Sequence, residues 1–110
     1  MKYVFPAVFV YSSDDKAYLV DFPDTADYFG CHTDGADLYE ALDYAEDALN
    51  LMLLDAEESG DPIPKASSIK DIIAKAPEGA IVTLIKADTE AYAKKLRQEP
   101  EEEELAEKIA

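Results

Sequence analysis

The chain has 110 residues, with 25 acids, 10 bases, 48% hydrophobic residues and a formal charge of -15. The length fits one domain of ordinary size, and the apolar content is enough for a core, which excludes wholesale disorder. The negative charge disfavours binding to phosphate backbones and to anionic lipid, and it suits a basic partner.

The single cysteine and the apolar N-terminal segment indicate in which cellular compartment the protein is found. Cys31 is the single cysteine, so an internal disulfide and a cysteine-based zinc site are excluded. The apolar run at the start is short, contains Pro6 and lacks a small-residue cleavage pattern, which indicates a strand rather than a signal peptide. No run approaches the ~18 apolar residues that span a bilayer. We therefore expect a cytoplasmic protein.

The first third of the chain predicts three antiparallel strands. The predicted strands are 3–11, 17–22 and 29–33. The first is rich in β-branched and aromatic residues and is apolar on both faces, so both faces could be covered. Pro6 cannot donate to a ladder and should lie at an edge or with its nitrogen outward. Asp34 and Gly35 are expected to end the third strand.

The periodicity then changes to that of a helix. Apolar residues recur at steps of three and four, namely Leu38, Leu42, Ala45, Leu49, Met52 and Ala56. Asp37 can cap this helix, with Glu40 three residues further on, and Gly60 followed by Pro62 ends it. A helix of about six turns is predicted from near Asp37 to near Ser59.

The outer face of this helix is acidic and carries no Lys or Arg. Its acids are Glu40, Asp43, Glu46, Asp47, Glu57 and Glu58. Carboxylates three or four positions apart repel by ~0.2–0.5 kcal/mol per pair. Two interpretations stay open, a solvated acidic face and a docking surface for a basic partner. If a partner docks here, we expect Glu40, Asp43 and Asp47 to bind it.

A short helix, one more strand and a last helix complete the pattern. Ser67 or Ser68 caps the short helix, residues 80–87 form the strand, and Asp88 or Thr89 caps the last helix. The element order βββα(α)βα predicts an α+β fold, in which a small antiparallel sheet packs on one long helix. One sheet face could be covered by another chain. The predicted domain is 1–98, followed by an acidic tail at 99–110 that is solvated or forms a short helix.

Two groups of residues could carry chemistry, and each has a simpler explanation. Four acids, Asp21, Asp24, Asp27 and Asp34, could bind a divalent cation, but turns are rich in Asp for local backbone reasons. Cys31 and His32 are neighbours on a predicted strand and point to opposite faces, which predicts a packed Cys and a half-exposed His. We therefore predict no catalytic residue, no metal and no cofactor.

The order of motifs in the first 64 residues resembles the HicB antitoxin family. The motifs are a strand ending in Phe-Pro-Asp at 18–24, a Gly-Cys strand at 30–35, a Leu-x-Glu-Ala-Leu helix start at 38–42 and a Gly-x-x-Ile-Pro exit at 60–64. The later strand at 81–88, followed by Tyr92 and Lys95, is similar to a longer HicB-like branch.

This resemblance implies a partial RNase H-like fold without catalytic residues. It also implies an antitoxin that occludes a small basic HicA toxin, an mRNA-cleaving ribonuclease, and that forms homodimers or larger homo-oligomers. Residues 14–61 carry a charge of -14, which suits such a partner.

The chain departs from the family pattern at two places. Residues 25–29 replace a shorter Leu-Pro turn, and Glu101–Ala110 stands where many members have a DNA-binding segment, which argues against operator binding. The alternative function is a solitary HicB-like regulatory or scaffold domain that self-assembles without a toxin. A third hypothesis is a small metal-dependent nuclease that uses the Asp cluster.

Overall fold

The structure is a computed structural model, and it describes residues 1–97. Its elements in chain order are β1 (Lys2–Ser12), β2 (Ala17–Asp21), β3 (His32–Gly35), α1 (Leu38–Ser59), α2 (Ile69–Lys75), β4 (Ile81–Asp88) and α3 (Thr89–Arg97). The predicted α+β fold is confirmed. Among the described residues, no helix combines the length and hydropathy needed to cross a bilayer. The predicted acidic tail at 99–110 lies outside the described residues.

The four strands form one antiparallel sheet in the order β3-β2-β1-β4. β1 pairs with β4 over Lys2–Phe9 and with β2 from Val8 onward. Pro6 therefore lies in the part of β1 that has a strand on one side only. A proline is tolerated at such a place because its missing N–H leaves no gap in a ladder.

One face of the sheet packs against α1 and forms the core. The core side chains of the sheet include Phe5, Ala7, Phe9, Val20 and Ile85, and those of the helix are Ala41, Ala45, Leu49 and Leu53. Each large apolar side chain that leaves water here contributes roughly 1.5–3 kcal/mol. The opposite face of the sheet is covered only in part, by α2. Ile72 of α2 and Val8 of β1 are buried there, whereas Val4 and Leu84 are half exposed.

The buried face of α1 is rotated from the predicted one. Leu38 and Leu42 are exposed, and Ala41 and Leu53 are buried in their place. The cause is the close approach of α1 to β3, since a Cβ on Gly35 would lie 2.4 Å from the Ala41 backbone nitrogen. Only small residues fit at this crossing, so the helix turns Ala41 toward the sheet and Leu42 away from it.

The third strand begins later than the predicted 29–33, at His32, because a buried threonine organises the preceding loop. The Thr25 hydroxyl donates to the Phe22 carbonyl oxygen at 2.7 Å and accepts the Cys31 N–H at 2.8 Å. Gly30 takes a left-handed backbone conformation in this loop, with φ +60. Residues 23–30 are thereby held in a compact turn, and β3 begins only at His32.

The predicted caps are found, and the structure selects one residue where two were possible. Asp37 Oδ1 accepts the N–H three residues further on at 2.8 Å, and Gly60 ends α1 with φ +70. Ser68 caps α2, and Asp88 caps α3. Local sequence chemistry therefore determines where each helix begins.

Candidate partner-binding surface

The three acids predicted to bind a partner have different surroundings. Glu40 is half buried, and its Oε1 accepts the Ala36 N–H at 3.3 Å while its own N–H donates to Asp37. This is a variant of the capping box, in which the glutamate satisfies the amide before the cap residue. Glu40 therefore stabilises the start of α1 through its carboxylate.

Asp43 and Asp47 line one groove between α1 and α3. The groove measures about 420 Å³ and is also lined by Tyr44, Glu46, Asn50, Tyr92 and Lys95. Asp43, Glu46 and Asp47 are exposed, so their carboxylates face water. The structure thus brings two of the three predicted residues together and adds Glu46 to them.

Asp47 is held by a tyrosine of α3. The Tyr92 hydroxyl donates to Asp47 Oδ1 at 3.1 Å. Burial raises the pKa of Tyr92, and the hydrogen bond to Asp47 and its negative charge act in the same direction. Tyr92 therefore stays a protonated donor at neutral pH and keeps one oxygen of Asp47 fixed at the groove.

The groove is acidic in balance. Three carboxylates, from Asp43, Glu46 and Asp47, face one ammonium group, that of Lys95. Asp43 lies three positions before Glu46 and four before Asp47 on α1, so its carboxylate is repelled by both of theirs. A Lys or Arg side chain of a partner would relieve this repulsion and would donate charge-assisted hydrogen bonds to the carboxylates.

Glu57 was predicted on the outer face of α1 and does not lie there. Its Oε2 accepts hydrogen bonds from the Tyr3 hydroxyl at 2.5 Å and the Thr89 hydroxyl at 3.0 Å. Burial alone would raise the pKa of Glu57, but the hydrogen bonds from Tyr3 and Thr89 and the nearby N-terminal amine outweigh it, so the pKa is lowered. This carboxylate joins the helix to the ends of β1 and β4 and is not part of the acidic surface.

The acids proposed as a cation site are dispersed. Asp21 pairs with His32 at 2.9 Å, and Asp24 accepts two hydrogen bonds from Ser67. Within residues 1–97 there is no group of three or more His, Cys, Asp or Glu residues that could hold a metal ion. The structure also places the Cys31 side chain in the core and that of His32 outside, as the strand alternation predicted.

A second concavity lies on the opposite face of the sheet, between β2 and α2. It measures about 780 Å³ and is lined mainly by apolar side chains, among them Val10, Leu19 and Ile72. No sequence pattern indicates this concavity, because its walls come from elements distant in sequence. The proximity of Tyr92 and Lys95 to Asp47 was also not predicted, although residues three positions apart on one helix share a face.

Comparison of the sequence with known protein families identifies one family. Residues 5–99 match the family model described as a HicB-like antitoxin of bacterial toxin-antitoxin systems. No curated protein matches the chain.

Three solved structures have a similar fold. A toxin-antitoxin complex from Streptococcus pneumoniae contains a chain 26% identical, with a TM-score of 0.66, covering 84% of this chain and 73% of that one. The N-terminal domain of the Burkholderia pseudomallei antitoxin HicB is 25% identical, with a TM-score of 0.65, covering 78% of this chain and 99% of that one. A chain of a HicA3 and HicB3 toxin-antitoxin complex has the same fold, with a TM-score of 0.59 and 22% sequence identity. The match covers 78% of this chain and 99% of that one.

Proposed function

Because this chain belongs to the HicB-like antitoxin family of bacterial toxin-antitoxin systems, we propose that it binds and masks a small basic ribonuclease toxin of the HicA type. The match spans residues 5–99, and similar chains have been solved in toxin-antitoxin complexes. Masking is a matter of steric cover and charge, so it requires no catalytic residue, metal or cofactor from the antitoxin.

We propose that the toxin binds at the groove between α1 and α3, because this groove is lined by three carboxylates. A ribonuclease must present positive charge to the phosphates of its substrate. Three carboxylates within little more than one turn of one helix present negative charge to such a surface. Such complementarity speeds encounter and fixes the orientation of the two proteins.

We assign different roles to the three acids. Asp43 makes no side-chain hydrogen bond within residues 1–97 and is assigned direct contact with a basic side chain of the toxin. Asp47 is assigned the same role through the oxygen that Tyr92 leaves available. Glu40 supports the start of α1 instead, because its carboxylate is engaged with Ala36.

The first experiment is co-purification of the tagged full chain from the cells that encode it. We expect a small basic protein, released by salt or denaturant, whose ribonuclease activity the chain inhibits on recombination. A pure homo-oligomer with no such companion would contradict the proposal and support the alternative, a solitary HicB-like domain that self-assembles.

A charge-reversal pair then tests the surface. Asp43→Lys should weaken toxin binding and reduce the dependence of affinity on salt, because it removes one attractive pair and adds a repulsive one. Asp14→Lys changes the net charge equally at an exposed site in the turn between β1 and β2. Equal effects of the two variants would show that net charge matters and that the groove does not.

A further inference from the structure

The first two turns of α1 expose an apolar patch that consists of Leu38, Tyr39 and Leu42. Tyr39 is 80% exposed and Leu42 is 43% exposed, and none of the three belongs to the core cluster of residues 1–97. The close approach of Gly35 to Ala41 turns the patch outward, because it directs Ala41 toward the sheet. A single exposed apolar side chain is ordinary, whereas a contiguous group bordered by polar residues is typical of an interaction site.

The apolar patch is continuous with the acids of the groove between α1 and α3. Residues three or four positions apart are neighbours on a helix surface. Leu42 lies four positions before Glu46. Tyr39 lies four positions before Asp43, and Asp43 lies four before Asp47. The exposed side of α1 is therefore one surface, apolar toward the start of the helix and acidic about one turn further on.

The charge of α1 determines which kind of molecule can cover this surface. The helix carries seven acids and no Lys or Arg. A second copy that packed here about a twofold axis would bring its own acids against these, and like charges that meet at an interface oppose binding. Nucleic acid and anionic lipid are repelled for the same reason. The surface therefore fits a basic protein that presents an apolar side chain beside its cations.

On the basis of the toxin-binding function proposed above, we propose that the apolar patch of Leu38, Tyr39 and Leu42 is the main source of binding energy for the toxin. The toxin presents an apolar side chain to the patch and a Lys or Arg roughly 6 Å further along α1, the rise of four helical residues. Well-packed aromatic and apolar side chains supply most of the energy of an interface, whereas complementary charges mainly speed encounter.

Tyr39 is the principal contact residue of the patch. It has the largest exposed fraction of the three side chains. A tyrosine has only two side-chain torsions, so it loses little conformational entropy when a partner covers it. Tyrosine is also enriched among the residues that dominate interface energetics.

The order of the two halves agrees with the electrostatics of a helix. The first turn of an α-helix carries partial positive charge from its unpaired N–H groups, which disfavours a cation there. The apolar patch occupies this end of α1, and the acids Asp43, Glu46 and Asp47 follow it. The cations of the toxin therefore bind away from the helix start, where the helix itself does not oppose them.

The start of α1 is fixed before any partner binds. Asp37 accepts the Glu40 N–H at 2.8 Å, and the Glu40 carboxylate accepts the Ala36 N–H at 3.3 Å. The backbone beneath the patch is therefore held in place by the helix cap. Binding to a preorganised surface costs less conformational entropy, which leaves more of the contact energy as affinity.

Binding kinetics of the toxin recovered by co-purification test this division of roles. Tyr39→Ala and Leu42→Ala should each weaken binding by about tenfold or more through faster dissociation, with the salt dependence unchanged. Asp43→Asn should instead slow association and reduce the salt dependence. Leu51→Ala is the matched control, because Leu51 is 49% exposed on the same helix but lies on its opposite side, about two and a half turns further along.

Tyr39→Phe keeps the ring and should bind nearly as tightly as the wild type. Urea midpoints of all variants should equal that of the wild type, because the replaced side chains lie outside the core. Equal affinities of Leu42→Ala, Tyr39→Ala and Leu51→Ala would overturn the role of the patch while the toxin-binding function stands. Losses in Tyr39→Phe as large as in Tyr39→Ala would also overturn it. Recovery of no basic protein would refute the proposed function and this inference together.

Discussion

The Asn50 side-chain oxygen accepts the Asp88 backbone N–H at 3.0 Å, and this contact joins the middle of the long helix to the end of the last strand. Asn50 also donates to the Glu46 carbonyl oxygen at 3.0 Å and is 6% exposed. The oxygen of this buried polar side chain is therefore hydrogen-bonded to the sheet, and its nitrogen is hydrogen-bonded to the helix.

Replacing Asn50 by Ala should lower the free energy of unfolding by about 1–3 kcal/mol, because the Asp88 N–H loses its acceptor. Urea denaturation measures the loss. Amide exchange should show faster exchange at Asp88, with Thr83 and Ile85 unchanged. An unaltered Asp88 amide would mean that another group accepts this hydrogen bond in solution.

Replacing Gly35 by Ala should lower the free energy of unfolding by about 2–3 kcal/mol or more, because the added Cβ would lie 2.4 Å from the Ala41 backbone nitrogen. The obstacle is the backbone of Ala41, so the double variant Gly35→Ala/Ala41→Gly should not recover the lost stability. Thermal unfolding of both variants checks this. Recovery in the double variant would show that the clash involves the Ala41 methyl group instead.

Thr25→Val should destabilise the chain by about 1–3 kcal/mol, although the two side chains have the same shape. The valine leaves the Cys31 N–H without its acceptor inside the protein, because Thr25 is fully buried. Thr25→Ser keeps the hydroxyl and should lose less stability than Thr25→Val in the same urea experiment. The reverse order would indicate that the methyl group matters more than the hydrogen bonds.

The Glu57 carboxylate should make stability depend on acid pH. Its pKa is lowered in the folded chain, so its contribution is present above the ordinary glutamate pKa of about 4.3 and is lost as the pH falls through the folded value. Tyr3 remains a donor throughout, because burial and the contact with Glu57 raise its pKa to about 12. Melting temperatures of wild type and Glu57→Gln should converge as the pH falls. A constant difference between them would refute this role.

Cys31 should be unreactive in the folded chain. It is 1% exposed, and burial, with a smaller effect of the Asp21 charge, raises the pKa of its thiol to about 11. A thiol reagent at mildly alkaline pH should label it only in denaturant, because the thiolate is the reactive form. Rapid labelling without denaturant would show that the loop at 23–30 opens in solution.

The sequence by itself determined the element types, the positions of the caps to within one residue, and the family. The change from period two to period 3.6 located α1, and Asp37, Gly60, Ser68 and Asp88 are local signals that act through backbone groups a few residues away. The ordered motifs indicated the HicB-like family, which the match over residues 5–99 confirmed.

Only the tertiary structure decided which side chains share a surface. Leu42 looked like a core residue by periodicity, but the contact between Gly35 and Ala41 rotated α1 and exposed it. Asp47 and Tyr92 are 45 residues apart in the chain, and their contact depends on how α3 returns against α1. Helical periodicity reports the position of a residue around its own axis, whereas the packing of one element on another depends on shape and distance between segments remote in sequence.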